Sequence, residues 1–113
     1  MGNATLQLDH VFKALADPTR RAILERLSKG SRSTKELAAP FDMALPSFVQ
    51  HLNLLEACHL VSSRKEGRVR TYSLNVRELK KAEDWMSRQR AMWEKRLNQL
   101  DSYLQTLKED DDG

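Results

Sequence analysis

One cysteine, three prolines, four glycines and 6% aromatic residues in 113 positions leave this chain short of several kinds of chemistry. With Cys58 alone, no intramolecular disulfide can form, which suits a reducing, cytoplasmic setting. No apolar run approaches the ~20 residues needed to cross a bilayer, and no signal-peptide pattern opens the chain, so no membrane association is expected. "MGNATL" carries the Gly2 of a myristoylation start but places Leu6 where Ser or Thr is required. A Gly-rich phosphate loop, a G-x-S-x-G elbow and a Cys/His pair at a helix terminus are all missing, which argues against an enzyme and against a cofactor.

What is there is charge, unevenly placed. The net charge is +3, yet the stretch from Lys13 to Lys81 holds 14 Lys/Arg against 7 Asp/Glu, a local +7. A basic middle between neutral-to-acidic ends predicts a surface that faces a polyanion.

Hydrophobic spacing and punctuation give the elements. Leu8, Val11, Phe12 and Leu15 share one face of a first helix. In "DPTRRAILERLSKG", Asp17 is an N-cap, Pro18 occupies the first helical position and Gly30 lies just past the end of a second. "STKELAAP" is a short third helix, opened by a Ser33/Glu36 capping box and closed by Pro40. After the break "PFDMA", a fourth helix turns Leu45, Phe48, Val49, Leu52 and Leu55 inward, with Pro46 in its first turn. Two short helices across a tight break form a helix-turn-helix pattern.

Beyond Leu60, "VSSRK", the turn "EG" and "RVRTYSL" read as a β-hairpin. Pairing through Glu66-Gly67 sets Lys65 opposite Arg68 and Arg64 opposite Val69. Like charges face to face destabilise an isolated hairpin. A cluster of Arg64, Lys65, Arg68 and Arg70 at one tip therefore makes sense if phosphates neutralise it.

Asn75 and Glu78 have the spacing of a capping box for a last, long helix. Leu79, Met86, Trp93, Leu100 and Leu107 recur every seventh residue, and Leu97 and Leu104 complete a heptad seam that Glu83 and Arg90 interrupt. Trp85 and Met92 run beside it. One helix of this length cannot bury both lines against so small a body, so a homodimer interface is expected through Leu79, Met86, Trp93, Leu97, Leu100 and Leu104. The expected organisation is thus a helix-turn-helix and hairpin part facing nucleic acid at 1–75, a dimerisation helix at 76–108 and a frayed acidic tail at 109–113.

The order of elements, with "LADPTRRAILERL", "LPSFVQHLNLLEACHLV" and "RKEGRVRTYSL", resembles the ArsR/SmtB family of bacterial transcriptional regulators over roughly Leu8 to Leu104. The resemblance implies a mainly α winged helix-turn-helix, α-α-α-α-β-β-α with a small β-hairpin, dimerised through its terminal helices. It also implies a repressor bound to an inverted-repeat operator in double-stranded DNA. The fourth helix would then enter the major groove, presenting Pro46, Ser47, Gln50 and His51. Gln50 suits an adenine edge, Ser47 a base or a phosphate, and His51 matches a position where similar proteins often carry His. The cations of the hairpin would contact phosphate or the minor groove, adding affinity more than discrimination.

Many members of that family sense metals through a pair of cysteines in the third helix. Here Ala38 and Pro40 stand in those places, and no His follows His59, so no metal site is expected. Cys58 reads as a small buried hydrophobe. His59 occupies a position where similar proteins commonly end the helix with Gly, which predicts a strained helix terminus. Two other readings stay open at this point. One is a winged-helix adaptor that docks proteins and not DNA. The other is a repressor with a small-molecule or redox effector of unknown identity, lodged among Trp85, Met86, Met92 and Trp93.

Overall fold

The computed structural model describes residues 3–112, so Gly2 of the myristoylation-like start lies outside the described residues. Helix α1 spans Asn3–Leu15, α2 Pro18–Leu27, strand β1 Arg32–Ser33, α3 Thr34–Ala38 and α4 Leu45–Ala57. Strands β2 Val61–Glu66 and β3 Val69–Leu74 follow, then α5 Val76–Asp112. Its contacts divide the chain between Ala82 and Glu83.

In the part up to Ala82, the punctuation read from the sequence is what the backbone uses. The Asp17 carboxylate accepts the Arg20 amide at 3.0 Å and Pro18 opens α2. Ser33 and Glu36 close a reciprocal capping box on α3, at 3.2 and 3.0 Å. The core holds fully buried Ile23, Leu37, Phe48, Leu52, Leu55 and Leu60 together with buried Val11 and Ala14 of α1, while Leu8, Phe12 and Leu15 of α1 are partly covered against it. The Phe41 and Phe48 rings lie 5.2 Å apart, tilted by 40°, and close this core beneath the first turn of α4.

Three details of the sheet and helices depart from expectation. The sheet has three strands, antiparallel in the order β1-β3-β2, because Arg32 and Ser33 pair with Tyr72 and Thr71. A two-residue strand is too short to show alternation, and Ser33 had already been read as a helix cap. The hairpin register also differs by a step at the turn. Glu66 faces Val69, Lys65 faces Arg70 and Arg64 faces Thr71, so the turn residues are Gly67 and Arg68. Gly67 has φ +62°, and glycine at the first turn position is what a type II′ hairpin turn takes up without steric cost. The like-charged pair is therefore Lys65 with Arg70. Third, the Asn75 side-chain amide donates to the His59 carbonyl at 2.9 Å, and Glu78 pairs with Lys81 at 2.8 Å. Both members of the expected capping box are engaged elsewhere.

The end of α4 behaves as its sequence warned. His59 adopts φ +63°, the sole positive φ among described non-glycine residues. Its N–H bonds to the Glu56 carbonyl, and the Leu60 N–H reaches back to the Leu55 carbonyl at 3.0 Å. That is a Schellman closure with Leu60 and Leu55, both fully buried, as its hydrophobic contact. It turns the chain directly from α4 into β2.

The first turns of α5 belong to this same body: Ala82 is buried, and Leu79, expected at a dimer interface, packs against the domain core. From Glu83 to Asp112 the chain is a single helix. It runs through Glu109–Asp112, which had been expected to fray, since no Gly or Pro interrupts α5 before Gly113. On this helix Met86, Trp93, Leu97, Leu100 and Leu104 are all 47–58% exposed. The Arg96 guanidinium lies 5.5 Å from the centre of the Trp93 ring. No helix among the described residues is long and apolar enough to cross a membrane.

Candidate nucleic-acid interface

Helices α3 and α4 form the expected helix-turn-helix, and the burial of α4 decides what its other side shows. Phe48, Leu52 and Leu55 are fully buried, so the helix is fixed in rotation. Pro46, Ser47 and Gln50 are exposed. Ala44, the N-cap, offers no side-chain acceptor. The amide donors of the first turn are thus not capped by a side chain, and the positive end of the helix dipole is available to an anion.

His51 sits differently. Its side chain is only 21% exposed, and its Nδ1 lies 3.1 Å from Nη1 of Arg20 and 3.7 Å from the Asp17 carboxylate. Helix α4 is tied at this point to the start of α2, a link across 31 positions that no local pattern reveals. The Asp17 carboxyl is held below its ordinary value of 3.8, first by the Arg20 backbone N–H, against some desolvation, and further by the charge of the Arg20 guanidinium.

Leu45 corrects the sequence reading. It was placed on the inward face but is 55% exposed. Leu45 is the first residue of α4, and burial begins one turn further on at Phe48, whose ring meets that of Phe41. Leu45 instead lines a hollow with Met43, Ala38, Val69, Arg68 and Arg70, between the helix-turn-helix and the tip of the hairpin. Val69 is 53% exposed there.

The four cations of the hairpin are all exposed but are not equivalent. Arg64 pairs with Glu66 along its own strand at 3.2 Å, a solvent-exposed contact of little energetic weight. Arg70 donates to Ser63 Oγ at 2.8 Å, and Ser63 in turn donates to Glu56 at 2.8 Å, anchoring β3 to α4. Among the described residues no carboxylate pairs with Lys65 or Arg68. The tip therefore presents two unneutralised charges and two partly compensated ones. Thr34 adds a bond from its hydroxyl to the Arg70 carbonyl, linking the tip to the start of α3.

The remaining polar candidates lie apart from this face. Cys58 Sγ donates to the His10 carbonyl at 3.5 Å, and burial pushes its thiol pKa up. That favours the inert thiol over the reactive thiolate. Among the described residues no three His, Cys, Asp or Glu side chains converge on a point where a metal could sit.

Comparison with known proteins agrees with this geometry. Residues 15–64 match a family model described as a helix-turn-helix domain. Over 79 residues the chain is 38% identical to the transcriptional repressor SdpR of Bacillus subtilis, covering 70% of this chain and 88% of that protein. The crystal structure of an ArsR family transcriptional regulator is similar at 48% identity, with a TM-score of 0.76 over 80% of this chain and 93% of that one. An ArsR-like regulator from Rhodococcus sp. RHA1 matches at 36% identity and a TM-score of 0.73, covering 87% and 92%. A basic hairpin beside a helix with a polar outer face, on a scaffold shared with these proteins, places the chain in one family: it belongs to the ArsR/SmtB winged helix-turn-helix transcriptional regulators, which bind DNA and are not enzymes.

Proposed function

We propose that the protein is a homodimeric repressor that binds an inverted-repeat operator, with α4 in the major groove and the hairpin against flanking phosphates. The observation that carries this reading is the pair Lys65 and Arg68, exposed with no carboxylate partner among the described residues, on the hairpin that follows a helix with exposed Ser47 and Gln50. Unpaired cations at a hairpin tip repel one another, and phosphate oxygens remove that cost while releasing counterions. Gln50 reads a base edge, adenine being the geometric match for an amide. Ser47 and the uncapped first turn of α4 serve base or backbone.

The second copy follows from the helix after Ala82. Its row of Met86, Trp93, Leu97, Leu100 and Leu104 is exposed at heptad spacing, and such a row is stable in water when a partner covers it. A two-fold dimer then presents two α4 helices to half-sites about one helical turn, roughly 34 Å, apart. Induction by metal through a cysteine pair at the end of α3 is not part of this reading, because Ala38 and, just past the helix, Pro40 stand in those places. SdpR and the arsenical resistance operon repressor of Staphylococcus xylosus, both similar to this chain, are named repressors, which supports repression as the output.

Fluorescence anisotropy with the DNA upstream of the protein's own gene and a scrambled control, across a salt series, tests the proposal. Selective, steeply salt-dependent binding is the expected result. Failure to bind either DNA at low salt, with the dimer confirmed, would overturn it.

A further inference from the structure

We infer that Arg20, on α2, is a positioning residue for DNA recognition: it holds His51 in the Nε2–H tautomer, and that N–H donates to a phosphate of the operator. The inference rests on the DNA-binding reading above and adds a residue from outside the helix-turn-helix.

The Arg20 guanidinium is fixed by three bonds. Its Nε donates to the Ala14 carbonyl at 2.8 Å, its Nη2 to the Lys13 carbonyl at 3.1 Å, and its Nη1 meets His51 Nδ1 at 3.1 Å. The first two acceptors are carbonyls of the last turn of α1, so the third N–H has a set direction. Arginine has donors only and keeps its proton. The ring nitrogen facing it must therefore offer a lone pair. In the neutral imidazole the proton then resides on Nε2. The opposite tautomer would set two donors against each other and leave both without an acceptor.

No described residue accepts a hydrogen bond from His51 Nε2, and the side chain is 21% exposed. His51 lies four residues after Ser47, on the same stripe of α4. A donor held in place by α2 cannot swing toward a base edge in the way that Gln50 can. It suits the phosphate backbone, where half to two-thirds of protein–DNA hydrogen bonds go. Asp17, at 3.7 Å from the same Nδ1, is the other group facing the ring. As the N-cap of α2 it already accepts the Arg20 amide, so cap, guanidinium and imidazole form one connected unit.

Long-range 1H–15N NMR of the histidine-labelled protein, free of DNA and at neutral pH, reads the tautomer directly. His51 should be in the Nε2–H form in the wild type and should lose that bias in Arg20→Met. A wild-type ring that is Nδ1–H or cationic would overturn the inference, as would a tautomer unchanged in Arg20→Met. On DNA, His51→Ala and Arg20→Met should each weaken binding roughly tenfold on operator and scrambled sequence alike, as loss of one bond to a charged acceptor requires. The double variant should be no weaker than the worse single one, because both remove the same contact. Losses that multiply would show two independent roles and overturn it. Replacing operator phosphates one at a time by neutral methylphosphonate should cost the wild type affinity at one position per half-site where His51→Ala is indifferent. Equal costs at every position would refute the phosphate contact. If Arg20→Met does not fold, the wild-type tautomer and this scan decide, since neither needs that variant. A wild type that binds no DNA would overturn this inference together with the reading beneath it. Binding without coupling would overturn this inference alone.

Discussion

His59 holds a left-handed backbone at the point where the recognition helix turns into the hairpin, and replacing it by glycine tests how that junction is held. An L-residue in this conformation costs about 1–2 kcal/mol, and histidine, which visits it more often than most residues, sits near the lower figure. Glycine removes that cost but raises the entropy of the unfolded chain by about 0.4–1 kcal/mol. His59 is exposed, and its hydrogen bonds to Glu56 and Asn75 use its backbone N–H and carbonyl, so the exchange forfeits no packing and no partner. The net expectation for His59→Gly is a gain of about 0.5 kcal/mol. His59→Val, which is β-branched, should lose at least about 1 kcal/mol. Urea unfolding at one fixed protomer concentration measures both, since self-association would make stability depend on concentration. With a slope of about 1.5 kcal/mol per molar, the two midpoints should differ by roughly 1 M, with glycine the higher. A valine variant as stable as the glycine variant would refute the reasoning, because it would mean that the junction does not hold the left-handed geometry in solution.

Four further outcomes follow from the same structure. Lys65→Ala with Arg68→Ala should weaken binding to every DNA sequence and reduce the salt slope by about two counterions, read from anisotropy at several salt concentrations; an unchanged slope would remove the hairpin tip from the interface. Gln50→Ala should cost about 1–3 kcal/mol on the operator and relax preference at one base pair, and an equal loss on random DNA would contradict base reading. Leu97→Glu, placing a charge in the exposed row of α5, should convert a dimer to a monomer in sedimentation equilibrium, whereas a dimer of unchanged affinity would move the interface elsewhere. The lowered pKa of Asp17 stabilises the fold above the ordinary value of 3.8, and that contribution is lost as pH falls through the folded-state value. Asp17→Asn keeps a cap acceptor without the charge, so its urea midpoint should converge on that of the wild type, or exceed it, as the pH drops below about 4. A constant gap between the two from pH 7 to pH 3 would argue against the charge.

Much of the molecule was legible in the sequence because its signals are local. A capping residue bonds three positions away, a proline fixes its own φ, and a helix reports its buried face every three or four residues. Hence α2, α3, the start of α4 and the heptad row of α5 follow from residues that lie near one another in the chain. The four hairpin cations could be named for the same reason. Other features depend on groups far apart in sequence. The pairing of Arg32 and Ser33 with β3 depends on residues some 40 positions away. The hairpin register followed from which residue could take positive φ, and that moved the like-charged pair from Lys65 and Arg68 to Lys65 and Arg70. Leu45 has the periodicity of a core residue, but the core ends beneath it, a fact that lies in Phe41 and Phe48 and not in its own spacing.

The sequence by itself determined the class of protein: a basic helix-turn-helix and hairpin joined to a long amphipathic helix, since composition, capping and periodicity are properties of short windows. Only the tertiary structure decided how the charges and polar groups are divided. Among the described residues it left Lys65 and Arg68 without carboxylate partners, tied Arg64 to Glu66 and Arg70 to Ser63, and set Arg20 against His51. Those assignments depend on distances of about 3 Å between groups that the chain separates by up to 31 positions, and a hydrogen bond exists at that range only once packing has fixed both ends.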